Sequence, residues 1–140
     1  SINKTESSES NTINRELKPS EFIFQFGYNK TEAIDDKTMN AIIAEIQKQI
    51  NDNQVVNLNL VSSASRVPKS YLGGNEALAA ARLKNGESAL IEALAAAKID
   101  MNKISTTNRK SLVSGPIFSS SNGQTEEIFS DFQYFKVILN

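Results

Sequence analysis

Apolar residues recur along this chain at two different periods, and the switches between them outline its elements. Phe22, Phe24 and Phe26 alternate with Ile23 and Gln25, the mark of a strand with one aromatic face. Met39, Ile42, Ile43, Ile46 and Ile50 then follow at steps of three and four or fall beside such a step, behind the acidic pair Asp35-Asp36. That pattern predicts an amphipathic helix from about Asp36 to Asn51, with the acidic pair at its start and Asp52-Asn53 at its end. Gln54 to Val61 is rich in β-branched residues and alternates in its second half, which predicts a second strand. A second helix is expected from Asn75 to about Lys98, with Leu83, Leu90, Leu94 and Ala97 on its core face. Lys103 to Thr107 reads as a short extended stretch. The last apolar run, Phe129 to Leu139, ends in a strand that sends Phe135, Val137 and Leu139 to one side.

Between these lie polar connections: Ser62 to Gly74, Gly115-Pro116 and Ser119 to Gln124. Residues Ser1 to Lys18 are mostly polar and carry no sustained apolar period, so 1–18 is expected to be a flexible linker and 19–140 the folded domain. The element order β-α-β-α-β-β calls for an α+β fold, a two-layer sandwich with both main helices on one face of a mixed sheet.

The start of the second helix gathers the candidate chemistry. Gly73-Gly74 frees the backbone, Asn75 is placed to cap the helix, and Arg82 lies two turns further on. Helix side chains lean toward the N-terminus, so the Arg82 guanidinium is aimed back at the cap and the loop before it. Arg82 is expected at the edge of the core face, where the small Gly86, Ala89 and Ala93 above it would leave a shallow channel. A cation facing a helix start is a seat for a carboxylate or phosphate. It serves equally for an internal ion pair with Glu76, Glu87 or a loop carboxylate. Arg66 and Lys69 in the preceding loop would add positive charge to the same neighbourhood.

Composition removes many alternatives. The chain has neither Cys nor His. Thiol nucleophiles, Ser-His-Asp triads and zinc sites built on those ligands are therefore excluded, and no phosphate-loop or dinucleotide motif occurs. Asp35-Asp36 is better explained as a helix start than as a metal or acid/base pair. No catalytic residue, cofactor or metal is expected, and the chain is not read as an enzyme. A formal net charge of −1, from 15 basic and 16 acidic residues spread along the sequence, offers no stripe for nucleic acid. The longest apolar region, Ala89 to Ala97, contains Glu92 and is too short to span a bilayer.

The aromatic strand Phe22-Phe24-Phe26, the strand residues Leu58 and Leu60, the helix pattern Asn75-x-x-Leu78-x-x-x-Arg82, and then Ile104 and Pro116 together resemble the OmpA-like domain. This is the periplasmic C-terminal domain of outer-membrane protein A, found also in peptidoglycan-associated lipoprotein and flagellar stator proteins. The resemblance spans about Glu21 to Asn140. It implies a non-enzymatic, periplasmic, outer-membrane-associated domain that binds the diaminopimelate of the peptidoglycan stem peptide, with a lipid anchor upstream of this chain. In the family the helix arginine takes a carboxylate and an aspartate at the strand end takes the ammonium, a two-point clamp for a zwitterion. The arginine is Arg82. The aspartate position, in a family motif Gly-His-Thr-Asp, falls on Ser65 of Ser62-Ser63-Ala64-Ser65, and the cationic Arg66 follows it. Ala79 replaces the family's serine, and Tyr134-Phe135-Lys136-Val137 stands for Asn-Arg-Arg-Val.

Ligand-binding candidates are therefore Arg82, Asn75, Ser65 and Arg66. Two partners fit them: the peptidoglycan stem peptide, or another envelope protein bound by a degenerate module that has lost diaminopimelate binding.

Overall fold

A computed structural model describes residues 20–26, 30–31, 35–66, 73–115, 129 and 131–140. The expected linker 1–18, Lys69, Pro116 and the loop 119–124 lie outside them. The described elements run β1 (Ser20–Gln25), α1 (Asp36–Asn51), β2 (Val56–Ala64), α2 (Gly74–Ala96), a 3-10 turn (Met101–Lys103), β3 (Ile104–Val113) and β4 (Tyr134–Leu139). The sheet order is β1-β4-β2-β3, with β4 antiparallel to both neighbours and β2 parallel to β3. This is the α+β arrangement with a mixed sheet that the element order called for.

Both helices cover one sheet face. Cross-strand register lines up the inward residues in rows: Phe24, Phe135 and Ser62; Phe22, Val137 and Leu60; Ser20, Leu139 and Leu58. Against these rows α1 buries Met39, Ile42 and Ile46, and α2 buries Leu90 and Leu94. The Phe24 and Phe135 rings stack with centroids 5.9 Å apart. Each large apolar side chain removed from water here contributes about 1.5–3 kcal/mol.

The helix ends follow local rules. Asp35 caps α1: its carboxylate accepts the Lys37 and Thr38 amides at 3.2 and 3.3 Å and the Thr38 hydroxyl at 2.7 Å. The Thr38 hydroxyl bond, then the Lys37 amide, holds the Asp35 carboxyl below its usual range. Both helices finish in Schellman turns. Asn53 and Lys98 take left-handed φ of 63° and 58°, and the amides of Gln54 and Ile99 reach back to the carbonyls of Gln49 and Leu94.

Four details depart from the sequence reading. Strand β2 does not stop at Val61 but continues through Ser62 and Ser63 to Ala64, all three buried. Strand β3 runs ten residues, because a bulge between Leu58 and Asn59 of β2 leaves Thr107 of β3 as an extra residue. Its hydroxyl donates to the Leu58 carbonyl at 3.2 Å, mending the interrupted ladder. Beyond Thr107 the alternation changes parity, so Arg109, Ser111 and Val113 pair with the inward Leu60, Ser62 and Ala64. Finally, Ala97 is exposed and Leu83 half-buried. The buried stripe of α2 is Leu78, Ala79, Arg82, Gly86, Leu90 and Leu94, which puts the arginine in the middle of the stripe rather than at its edge.

Candidate functional site

Helix α2 meets the C-terminal end of β2 through small residues. The Ser62 hydroxyl donates to the Ala79 carbonyl at 2.6 Å, and Ala64, Leu78 and Ala79 form a compact apolar cluster beside it. Such close approach is possible because Ala79 on the helix and Ser62 and Ala64 on the strand are small. One turn on from Ala79 the stripe delivers Arg82 into the gap.

Arg82 is fully buried, with 0% of its surface exposed. The expected shallow channel is absent because Gly86 does not leave open space: the Phe135 ring fills it, and a Cβ at Gly86 would lie 2.5 Å from that ring. The guanidinium lies over the Phe26 ring, 4.8 Å from its centroid. Its Nε donates to the Lys30 carbonyl at 2.8 Å. Its Nη1 donates to the Ser63 carbonyl at 2.9 Å and to Gln133 Oε1 at 2.6 Å. Burial lowers its pKa to about 10, so at neutral pH it remains a cation.

Gln133 is the residue the sequence reading missed. Only 4% exposed, it turns its oxygen to Arg82 and its nitrogen to the Ser65 hydroxyl, 3.1 Å away. Its own carbonyl accepts the Phe26 amide at 2.8 Å, which fixes the main chain just before β4. A signal was present: Gln133 shares the odd-numbered parity of Phe135, Val137 and Leu139, and therefore belongs to their inward face.

The four sequence candidates separate into two groups. Arg82 and Ser65 come together, joined through one carboxamide. Ser65 is itself fully buried. Arg66 is exposed and turned to the other side of the strand end, its Nε donating to the Gly115 carbonyl at 2.9 Å. Asn75 does not cap the helix. The N-cap is Gly73, in a left-handed conformation at φ 92°, so helix geometry is already under way when the chain reaches Asn75. Asn75 Oδ1 is buried and makes no hydrogen bond. Of the carboxylates expected as ion-pair partners for Arg82, Glu87 binds Arg109 instead, at 2.8 Å. The parity change at Thr107 is what turns Arg109 toward that helix.

Chemically the site is an enclosed two-point holder. A buried cation stands at one end and a neutral hydroxyl at the other, and a group with an acceptor and a donor on one carbon bridges them. No helix among the described residues is long and apolar enough to cross a membrane.

No family model and no curated protein matches this sequence. Solved structures do. The peptidoglycan-associated lipoprotein from Burkholderia pseudomallei aligns over 85% of this chain and 90% of its own, at TM-score 0.54 and 10% identity. A periplasmic domain of Helicobacter pylori MotB aligns over 87% of this chain and 74% of its own, at TM-score 0.52 and 16% identity. At such identities the likeness is one of fold. The chain has the OmpA-like fold that its motifs resemble.

Proposed function

We propose, from the OmpA-like fold, that this chain is a non-enzymatic domain of the bacterial cell envelope that binds peptidoglycan noncovalently. In this reading it is periplasmic and links the outer membrane to the cell wall, with an upstream lipid anchor at the membrane end. The observation that carries the reading is the convergence of Arg82 and Ser65 on one small group. Arg82 is a strong donor for a stem-peptide carboxylate. Ser65 accepts a hydrogen bond from the neighbouring nitrogen but brings no charge against an ammonium, so binding weaker than an aspartate-bearing clamp is expected. The fold shared with the peptidoglycan-associated lipoprotein supports the same partner class.

Sedimentation with purified sacculi tests this. The chain is expected to pellet with sacculi and Arg82→Ala to stay in solution, both folded by circular dichroism. A wild-type chain that remains in the supernatant overturns it.

A second reading is favoured by one observation: Arg82 has no exposed surface and donates to internal acceptors. The domain would then be a module for assembly with another envelope protein, its arginine kept for structure. Calorimetry against diaminopimelate, with cross-linking to find protein partners, separates the two; tight diaminopimelate binding removes the second.

A further inference from the structure

We infer that Gln133 is a built-in plug of the Arg82–Ser65 seat, whose carboxamide must leave before a ligand enters. The inference rests on the peptidoglycan reading for the identity of the ligand and on the geometry of Gln133 for the plug. A primary carboxamide presents an acceptor and a donor on one carbon. Gln133 sets the acceptor 2.6 Å from Arg82 Nη1 and the donor 3.1 Å from Ser65 Oγ. An amino-acid ligand gripped at the same two points would set its carboxylate on Arg82 and its nitrogen on Ser65. The internal group and such a ligand therefore compete for the same atoms.

The energetics favour exchange for a carboxylate ligand. The Gln133 main chain is tied to Phe26, and β4 begins at the next residue, so the plug moves as a side chain and not with the strand. A neutral carboxamide is a weaker partner for a guanidinium than a carboxylate, and a carboxylate arriving at Arg82 gains charge assistance that the amide lacks. The ligand binds only the fraction of molecules with the plug out, so its apparent affinity falls by that fraction. Removing the carboxamide should restore it. A carboxylate of the same length should fasten the plug.

The experiment is calorimetric titration of the full chain with meso-diaminopimelate, for wild type, Gln133→Ala and Gln133→Glu, each checked for folding by circular dichroism. Gln133→Ala is expected to bind at least tenfold more tightly than wild type, and Gln133→Glu at least tenfold more weakly than Gln133→Ala. Should Gln133→Ala misfold, Gln133→Ser replaces it, carrying the same expectation. Equal affinity in wild type and the shortened variant, including no measurable binding by either, overturns the plug.

Sacculus sedimentation keeps this apart from the functional reading. Wild type that pellets while the shortened variant gains nothing leaves wall binding standing and removes the plug. A tenfold gain with wild type still in the supernatant keeps the plug and removes wall anchoring by the unmodified chain.

Discussion

The two halves of helix α2 lie against the same sheet and are held in opposite ways. In the C-terminal half, Leu90 and Leu94 pack with Ile42, Ile46, Val56 and Leu58 in an apolar cluster where shape and area suffice. In the N-terminal half the stripe presents Arg82, and the strand end beside it carries the buried Ser62, Ser63 and Ser65 with Ala64 among them. There, beside the small Ala64–Leu78–Ala79 cluster, a network of contacts depends on donor and acceptor geometry: Ser62 to Ala79, Arg82 to Ser63 and Lys30, Gln133 to both Arg82 and Ser65. Hydrogen bonds in that setting return little net stability over solvation by water, and a buried cation starts from a desolvation deficit. Apolar packing is concentrated in one half and buried polar contacts in the other, with Gly86 at the junction.

Four substitutions would break or sharpen that contrast. The largest effect belongs to the apolar half: Leu94→Ala should cost about 2–5 kcal/mol in urea unfolding, since the fully packed site cannot collapse around the void. Arg82→Met should cost less, about 1–3 kcal/mol, because the lost hydrogen bonds are offset by relief from burying a charge. A stabilised Arg82→Met would show that the arginine is kept at the expense of stability. At the junction, Gly86→Ala gains about 1 kcal/mol of helix propensity but pushes a methyl into the Phe135 ring, for a net loss of about 1 kcal/mol in thermal unfolding. Phe135→Leu in the same chain should remove that loss, and a double mutant with Leu94→Ala should be additive within about 0.5 kcal/mol, since the two positions are some 12 Å apart along the axis.

The smallest effect lies outside α2. Asp35→Ala removes the α1 cap and serves as a control that leaves both halves untouched. The folded-state Asp35 carboxyl titrates below its usual 3.8, so the cap contributes above that pH and its contribution fades as pH falls through the lowered value. The difference in melting temperature between variant and wild type should therefore be present at pH 7 and vanish in strong acid.

What was legible in the sequence divides along the same line. Helix α1 was read at its observed bounds because Met39, Ile42 and Ile46 repeat on one face and Asp35 caps them, so local rules and tertiary packing agree. The inward face of β4 was readable for the same reason. Strand β2 was cut short at Val61 because Ser62 and Ser63 look like a turn. They are strand residues whose hydroxyls find partners distant in sequence, Ser62 at the Ala79 carbonyl and Ser63 at the Ser114 hydroxyl, a long-range reason invisible locally. Arg82 was identified as the central cation, but its charge suggested an edge position, and only the strand parity of Gln133 could have indicated what encloses it. Asn75 reads as the cap because Asn is a good cap residue; Gly73, two positions earlier, takes that place in a left-handed conformation that glycine adopts without strain.

The extra residue at Thr107 has a consequence for anyone aligning this chain with others or grafting segments between them. From Asn108 onward, odd positions of β3 do the work that even positions do before it. A gapless comparison would match Arg109, which faces helix α2, with an outward residue of an unbulged strand, and would miss the Glu87 pairing altogether. Excising Thr107 should remove the bulge and leave Arg109 facing the helix, because Thr106 and Asn108, which flank it, already pair with the adjacent Leu58 and Asn59.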